Sequence, residues 1–224
     1  MDSRFRGNDK SWYSIMILNL LFTEPSLFFI WLLAIIYGIT VHEFAHVLAA
    51  RLQGDDTGER MGRLTLNPLA HLDGFGLVML LVAGFGWGKP APYNPYNLKN
   101  QKWGEVIVAM AGPLSNLISL VIFGLVAKLL LPSLGVENLL IQFLTFLVMI
   151  NIVLLAFNLI PIPPLDGSKV LFAVLPDKYS HIKAYLSSHG PWLLLILVVA
   201  DNFLGINIFG HLFNVFFRLA GSLF

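Results

Sequence analysis

The chain has 224 residues, of which 57% are hydrophobic and 12% are charged. A soluble domain carries about 25% charged residues, so this composition excludes a soluble globular protein and indicates a membrane protein. The net charge of +1 comes without a basic run that would bind nucleic acid. The absence of cysteine excludes disulfides and thiolate ligands, so any metal must be bound by histidine and carboxylate.

The chain begins with a polar leader. The stretch MDSRFRGNDKSW has no apolar core, and the apolar IMILNLLF behind it lacks a small-residue cleavage site, so this is not a signal peptide. We treat residues 1–15 as a flexible leader, not native if the natural start is Met16. Residues 16–224 are predicted to form a single domain.

Apolar segments predict membrane helices in chain order. A transmembrane helix needs about 20 apolar residues. Three segments meet this length: residues 26–50, 103–131 and 137–159. Residues 74–87 are apolar but number only about 14 and include four glycines, so they are predicted to be re-entrant. With a less uniform last pair, residues 191–205 and 206–224, the sequence predicts an all-α, multi-pass helical membrane protein with about five or six membrane segments.

Basic residues orient these segments, because lysine and arginine collect in cytoplasmic loops. They fall mainly in the connection between the first two full spans and in the connection after the third. The basic residues are Arg51, Arg60, Arg63, Lys89, Lys99 and Lys102 in the former, and Lys169, Lys178 and Lys183 in the latter. Both connections are therefore predicted to face the cytoplasm.

A metal-binding motif lies at the end of the first span, in TVHEFAHVLAARL. His42 and His46 are four residues apart, so on a helix both imidazoles point along nearly the same face and reach one ion. Glu43 lies beside that face. Two imidazoles and an adjacent carboxylate that does not ligate are the arrangement in which zinc lowers the pKa of bound water and glutamate accepts its proton. The motif therefore indicates a zinc-dependent hydrolase.

The third metal ligand is predicted to be Asp166. The stretch NLIPIPPLDGSKV ends the third full span with prolines, which break a helix. Irregular backbone at membrane depth is tolerated where it lines a wet cavity, and the predicted orientation brings this segment to the side of His42 and His46. The alternative is an exposed aspartate in a C-terminal turn.

These motifs resemble those of a known family. HEFAH, AGPLSN and NLIPIPPLDG together resemble the site-2 protease family of intramembrane zinc metalloproteases. GRLTLNPLAHLDGFG and GWGKPAPYNPYNL are similar to its compact prokaryotic members, which lack a PDZ domain. The likeness covers about residues 16–185 in matching order.

The resemblance implies a function and a site. It implies one Zn2+ per chain bound by His42, His46 and Asp166, with Glu43 as the catalytic base. The implied reaction is hydrolysis of peptide bonds in or near transmembrane segments, often after another protease has trimmed the substrate. The implied surroundings are the lipid bilayer of a prokaryotic cell membrane and a transmembrane protein or peptide as substrate, with the active site near the cytoplasmic face.

Four other polar residues have two interpretations each. Asn116 is predicted to contact the substrate or the oxyanion, and the alternative is helix packing. Asn158 either steadies the proline loop or binds the substrate backbone. His71 and Asp73 either orient the metal ligands or gate the substrate, or fasten their loop by side-chain to backbone bonds, which we favour.

The main alternative function is a metal-binding membrane protein without peptidase activity, such as a transporter. Transporters often contain internal repeats and polar residues deep in several spans. This sequence shows no repeat, and its deep polar residues cluster at one predicted site. Hydrolysis also gives Glu43 a role, which metal binding alone does not.

Overall fold

The computed structural model describes residues 19–83 and 85–221. Seven helices organise this part of the chain. They are α1 (Pro25–Leu52), α2 (Gly74–Ala83), α3 (Gly104–Leu134), α4 (Leu139–Asn158), α5 (Gly167–Val174), α6 (Ser180–Leu204) and α7 (Ile208–Gly221). Short helical turns lie between them, including Thr57–Arg60. Within the described ranges, extended chain pairs only at an isolated antiparallel bridge between Leu72 and Gly88. The predicted leader lies outside the described residues.

Four helices, α1, α3, α4 and α6, are long and apolar enough to cross a membrane. Helix α7 is a shorter apolar helix of 14 residues. The prediction of an all-α, multi-pass membrane protein is therefore confirmed. Helices α1, α3 and α4 begin and end within three residues of the predicted spans, because long apolar runs bounded by polar residues mark these helices clearly.

The predicted start of the last pair at Pro191 was wrong. Helix α6 begins at Ser180 and contains Pro191 in its interior. Its first eleven residues, SHIKAYLSSHG, are too polar to be recognised by hydropathy, although they are helical. Gly190 lets this helix approach the proline loop closely, since a Cβ at Gly190 would lie 2.7 Å from the carbonyl oxygen of Pro163.

The segment predicted to be re-entrant contains helix α2 and then folds back. A Cβ at Gly76, in the first turn of α2, would overlap the carbonyl of Trp87. The chain thus returns from the far end of α2 to the level where the helix began, as a re-entrant segment must. Gly84 lies outside the described residues.

Helices α1, α3 and α4 pack against one another and form the centre of the bundle. Small residues allow helix backbones to approach closely in a membrane. Gly38 on α1 is such a position, because a Cβ there would lie 2.8 Å from Leu154 on α4. Helices α3 and α4 and the loop between α4 and α5 therefore pack around the C-terminal half of α1, where the HEFAH motif lies.

Candidate metal centre

The two histidines of the motif and Asp166 converge on one point. His42 and His46 are buried on α1, and Asp166 lies between α4 and α5. The two Nε2 atoms are 3.0 Å apart. Asp166 Oδ2 lies 3.2 Å from Nε2 of His42 and 3.4 Å from Nε2 of His46. These three atoms form a nearly equilateral triangle.

The triangle fits a zinc ion. Ligand atoms about 2.0–2.1 Å from a tetrahedral zinc ion lie about 3.3 Å from one another, which agrees with all three separations. Asp166 Oδ2 is buried and makes no hydrogen bond within the described part of the chain. The three side chains are therefore positioned to bind a metal ion, and two imidazoles with one carboxylate are a donor set that zinc uses in hydrolases.

The second nitrogen of each imidazole fixes its tautomer. Nδ1 of His46 lies 2.8 Å from the carbonyl oxygen of Val108. Because a carbonyl only accepts, this Nδ1 carries the proton, and the lone pair of Nε2 is free for the ion. Nδ1 of His42 lies 2.6 Å from Oδ1 of Asn116, and the same argument leaves its Nε2 free.

Gly112 explains how α3 can lie against both imidazoles. A Cβ at this position would lie 2.5 Å from Nε2 of His46 and 2.6 Å from Cε1 of His42, closer than any real side chain approaches. Any residue other than glycine would therefore push α3 away from the histidines. The AGPLSN motif thus brings Gly112 and Asn116 to the same site, one helical turn apart.

Asn116 is fully buried, and both ends of its amide are bonded. Its Oδ1 accepts from His42, and its Nδ2 donates to Asn151 Oδ1 at 2.9 Å and to Gly38 O at 3.4 Å. This geometry is that of a residue that orients His42. The predicted contact with substrate or oxyanion stays a prediction, because the amide donor is occupied by protein groups in this conformation.

Glu43 lies next to His42 on α1, and its carboxylate forms no ion pair with the residues that the structure describes. Its Oε2 is buried without a hydrogen bond to the described residues. A Cβ at Gly88 would lie 3.9 Å from Oε1, so the carboxylate faces the extended chain beside the Leu72–Gly88 bridge. Its predicted role as the catalytic base stays a prediction.

The other three predicted residues make local bonds. His71 is fully buried, and its Nε2 donates to the carbonyl of Thr65 at 2.7 Å. Asp73 accepts from the backbone N–H of Gly76 at 2.8 Å. Both contacts are local bonds to backbone groups, while Nδ1 of His71 is buried without a hydrogen bond to the described residues, and the role of both residues stays a prediction. Asn158 donates to the Leu154 carbonyl at 3.0 Å, and its predicted roles stay predictions.

Sequence reasoning missed Asn151, the partner of Asn116. A signal was present, because Asn151 lies seven residues before Asn158 in an apolar helix, about two turns away and on a similar face. A polar residue deep in a membrane helix indicates a function or a polar partner.

Comparison with known proteins identifies the family. Residues 29–197 match the model of peptidase family M50. The chain belongs to peptidase family M50. The predicted likeness to site-2 proteases, the metallopeptidase class and the zinc cofactor are thereby confirmed at the level of the family, and the transporter alternative is not favoured.

Three relatives have similar sequences along most of this chain. "Putative zinc metalloprotease YwhC" of Bacillus subtilis (strain 168) is 40% identical over 173 residues, which is 75% of this chain and 78% of the relative. "Putative zinc metalloprotease MJ0611" of Methanocaldococcus jannaschii is 31% identical over 70% of this chain and 79% of its own. "Putative zinc metalloprotease Rip2" of Mycolicibacterium smegmatis is 34% identical over 72% of this chain and 62% of its own. No solved structure matches the chain significantly.

Proposed function

We propose that this M50 peptidase hydrolyses peptide bonds in or near the transmembrane segments of other membrane proteins. The observation that carries this proposal is the convergence of His42, His46 and Asp166 beside the unpaired carboxylate of Glu43, inside a bundle of membrane helices. Polar groups without partners are costly in a bilayer. A hydrolytic reaction that uses these groups explains why they are present despite the free energy that their burial costs.

The proposed roles follow from the geometry. His42 and His46 offer free Nε2 lone pairs and Asp166 offers Oδ2, so these three residues hold zinc. When bound there, zinc supplies a Lewis acid that polarises a carbonyl and makes water more acidic. Glu43 accepts the proton of the attacking water and delivers it to the leaving nitrogen as the C–N bond breaks.

The depth of the site supports a substrate within the membrane. With a rise of about 1.5 Å per residue, His46 lies about 7 Å and His42 about 13 Å inside Arg51 along α1. Arg51 and the other basic residues of the first connection favour a cytoplasmic end. The relatives from Bacillus subtilis and Methanocaldococcus jannaschii support a prokaryotic cell membrane. A substrate helix must unwind locally, because its carbonyls are occupied by its own hydrogen bonds.

The test compares Glu43→Gln with wild type in detergent or liposomes, measuring zinc content and cleavage of a panel of single-span peptides. We expect zinc to be retained and cleavage to fall by about 10²- to 10⁴-fold, because a general base is lost. The matched control is Glu59→Gln, whose carboxylate pairs with Arg51 at the surface. It should leave both measurements unchanged.

Two results would contradict the proposal. Cleavage that survives in Glu43→Gln would exclude Glu43 as the base. Zinc bound by the wild type without cleavage of any peptide, in a panel widened to natural membrane proteins, would favour a metal-binding protein without peptidase activity.

A further inference from the structure

Asn151 is a buried polar residue in the middle of the apolar helix α4. Its side chain is fully buried. It makes two hydrogen bonds: its Nδ2 donates to the carbonyl of Leu147 at 2.7 Å, and its Oδ1 accepts from Asn116 Nδ2 at 2.9 Å. Among the residues that the structure describes, Asn116 is the one that connects Asn151 to the metal centre by hydrogen bonds.

The Leu147 carbonyl fixes the donor and acceptor of each hydrogen bond in the series from Leu147 through Asn151 and Asn116 to His42. The Leu147 carbonyl only accepts, so Asn151 must turn its Nδ2 toward it and present Oδ1 to Asn116. Asn116 must therefore donate through Nδ2, which leaves its Oδ1 for His42. An oxygen in that position requires a proton on Nδ1 of His42.

We propose that Asn151 is a positioning residue that fixes the tautomer of His42 in the form able to bind a metal ion. Without Asn151, only Gly38 O, at 3.4 Å, distinguishes the two ends of the Asn116 amide. A flipped amide turns an NH2 group toward Nδ1 of His42, and the proton of a neutral imidazole then moves to Nε2, where it blocks the ion. This inference rests on the proposed role of His42 as a ligand.

His46 provides an internal reference. Its Nδ1 faces the Val108 carbonyl, a backbone group that cannot flip. Loss of the Asn151 contact should therefore disturb one histidine of the motif and not the other. A mere loss of packing would not distinguish the two rings in this way.

The experiment measures zinc affinity by competition with a chelator for wild type, Asn151→Leu and Thr145→Val. Thr145 is the matched control, since it lies on the same helix and also donates to the carbonyl four residues earlier, that of Ile141 at 2.8 Å. We expect Asn151→Leu to weaken zinc binding by about 10- to 100-fold, the usual effect of losing a group that orients a ligand. Thr145→Val should leave the affinity unchanged.

A second measurement reads the tautomers directly. Nitrogen-15 spectra of the metal-free protein, labelled at histidine and recorded at a pH at which both imidazoles are neutral, distinguish a protonated Nδ1 from a protonated Nε2. In wild type we expect His42 and His46 to be protonated on Nδ1. In Asn151→Leu, His42 should become a mixture while His46 keeps its wild-type signal.

Asn151→Asp is the rescue variant. Burial among apolar side chains raises the pKa of a carboxyl, and in its protonated form the new side chain can donate to the Leu147 carbonyl and accept from Asn116 as the amide does. We expect zinc affinity close to that of wild type, and this variant also decides the matter if Asn151→Leu does not fold.

Three results would overturn the inference. These are unchanged zinc affinity in folded Asn151→Leu, unchanged His42 tautomers in that variant, and a folded Asn151→Asp that binds zinc as poorly as Asn151→Leu. A wild type that binds no zinc would instead defeat the proposed function, while the tautomer spectra would still test Asn151.

Discussion

At the scale of single residues, hydrogen bonds differ between the side chains that support the candidate metal centre and those assigned to its chemistry. A buried polar atom without a partner costs free energy in a low-dielectric interior. Asn116 and Asn151 have both amide ends bonded, as supporting groups should. Glu43 Oε2 and Asp166 Oδ2 are buried without such bonds to the described residues, as are five other side-chain atoms, among them Thr40 Oγ1 and His71 Nδ1. Of these atoms, Glu43 Oε2 and Asp166 Oδ2 belong to the candidate metal centre, and to them we assign proton transfer and metal binding.

Gly112→Ala should disrupt the metal centre. The added methyl group would occupy the space of both imidazole rings, so α3 or the histidines must move. We expect zinc affinity and cleavage both to fall by at least about 10-fold, as for other losses of ligand orientation. Gly74→Ala is the control, because a Cβ there meets nothing within 4 Å. Normal zinc content in Gly112→Ala would show that the close approach of α3 is unimportant.

Asp55 stabilises the connection that follows α1. Burial would raise the pKa of Asp55, but hydrogen bonds from Thr57, Asn97 and the N–H of Asn94 outweigh it and hold this pKa below its ordinary value of 3.8. Since the folded state favours the ionised form, this stabilisation is complete above the ordinary pKa and is lost as the pH falls through the lower folded value.

Asp55→Asn should therefore lower the free energy of unfolding at neutral pH by about 1–3 kcal/mol, the usual cost of leaving buried partners unsatisfied. Thermal unfolding in detergent at several pH values measures the difference. It should narrow below about pH 4, whereas Asp56→Asn, which removes an exposed pair with Arg60, should change little. A difference that stays constant down to pH 2 would contradict this account.

At the scale of elements, helix α5, which follows Asp166, is tied to α3 and to the extended chain beyond Gly88. Lys169 on α5 lies 2.6 Å from Glu105 in the first turn of α3, and the Tyr93 hydroxyl donates to the same carboxylate at 3.2 Å. Burial would lower the pKa of Lys169, but the contacts with Glu105 and Tyr93 raise it above its ordinary value. The carboxylate of Glu105 thus joins α3 to α5 and to the extended chain beyond Gly88.

Removing this ion pair should have a small effect. Both side chains are about 38% exposed, so we expect Lys169→Met to cost at most about 1 kcal/mol of stability. Glu105→Gln should cost a similar amount, and the double variant little more than either. Fully additive losses in thermal unfolding would show that the two residues act independently.

At the scale of the whole molecule, the metal ligands join parts of the chain that are far apart. His42 and His46 come from α1, and Asp166 follows α4. Zinc bound only by the folded chain should therefore stabilise it, by about 2.7 kcal/mol at a free concentration 100 times the Kd. A chelator should lower the melting temperature of wild type and leave that of His42→Ala unchanged. Equal melting temperatures with and without zinc would place the ion elsewhere.

The sequence predicted the helices well, and it predicted the side chains that the structure brings together at the candidate metal centre, because most of these signals are local. Long apolar runs mark helices in lipid wherever they occur, and the spacing of His42 and His46 follows from helical periodicity alone. The prediction of Asp166 as the third ligand also required the assumption that the two basic connections lie at the same face of the membrane. The start of α6 was missed because hydropathy reports contact with lipid and says little about a polar helical turn. The single domain of residues 16–224 stays a prediction.

The sequence by itself determined the class of the molecule: an all-α membrane protein with a histidine and carboxylate metal motif. Only the tertiary structure decided how that motif is held, through Gly112 against the imidazoles and the bonds from Asn151 through Asn116 to His42. The physical reason is the distance along the sequence over which each interaction acts. Partition into lipid and helical periodicity act between neighbours in the chain, whereas the orientation of a ligand depends on side chains brought together by packing from three different helices.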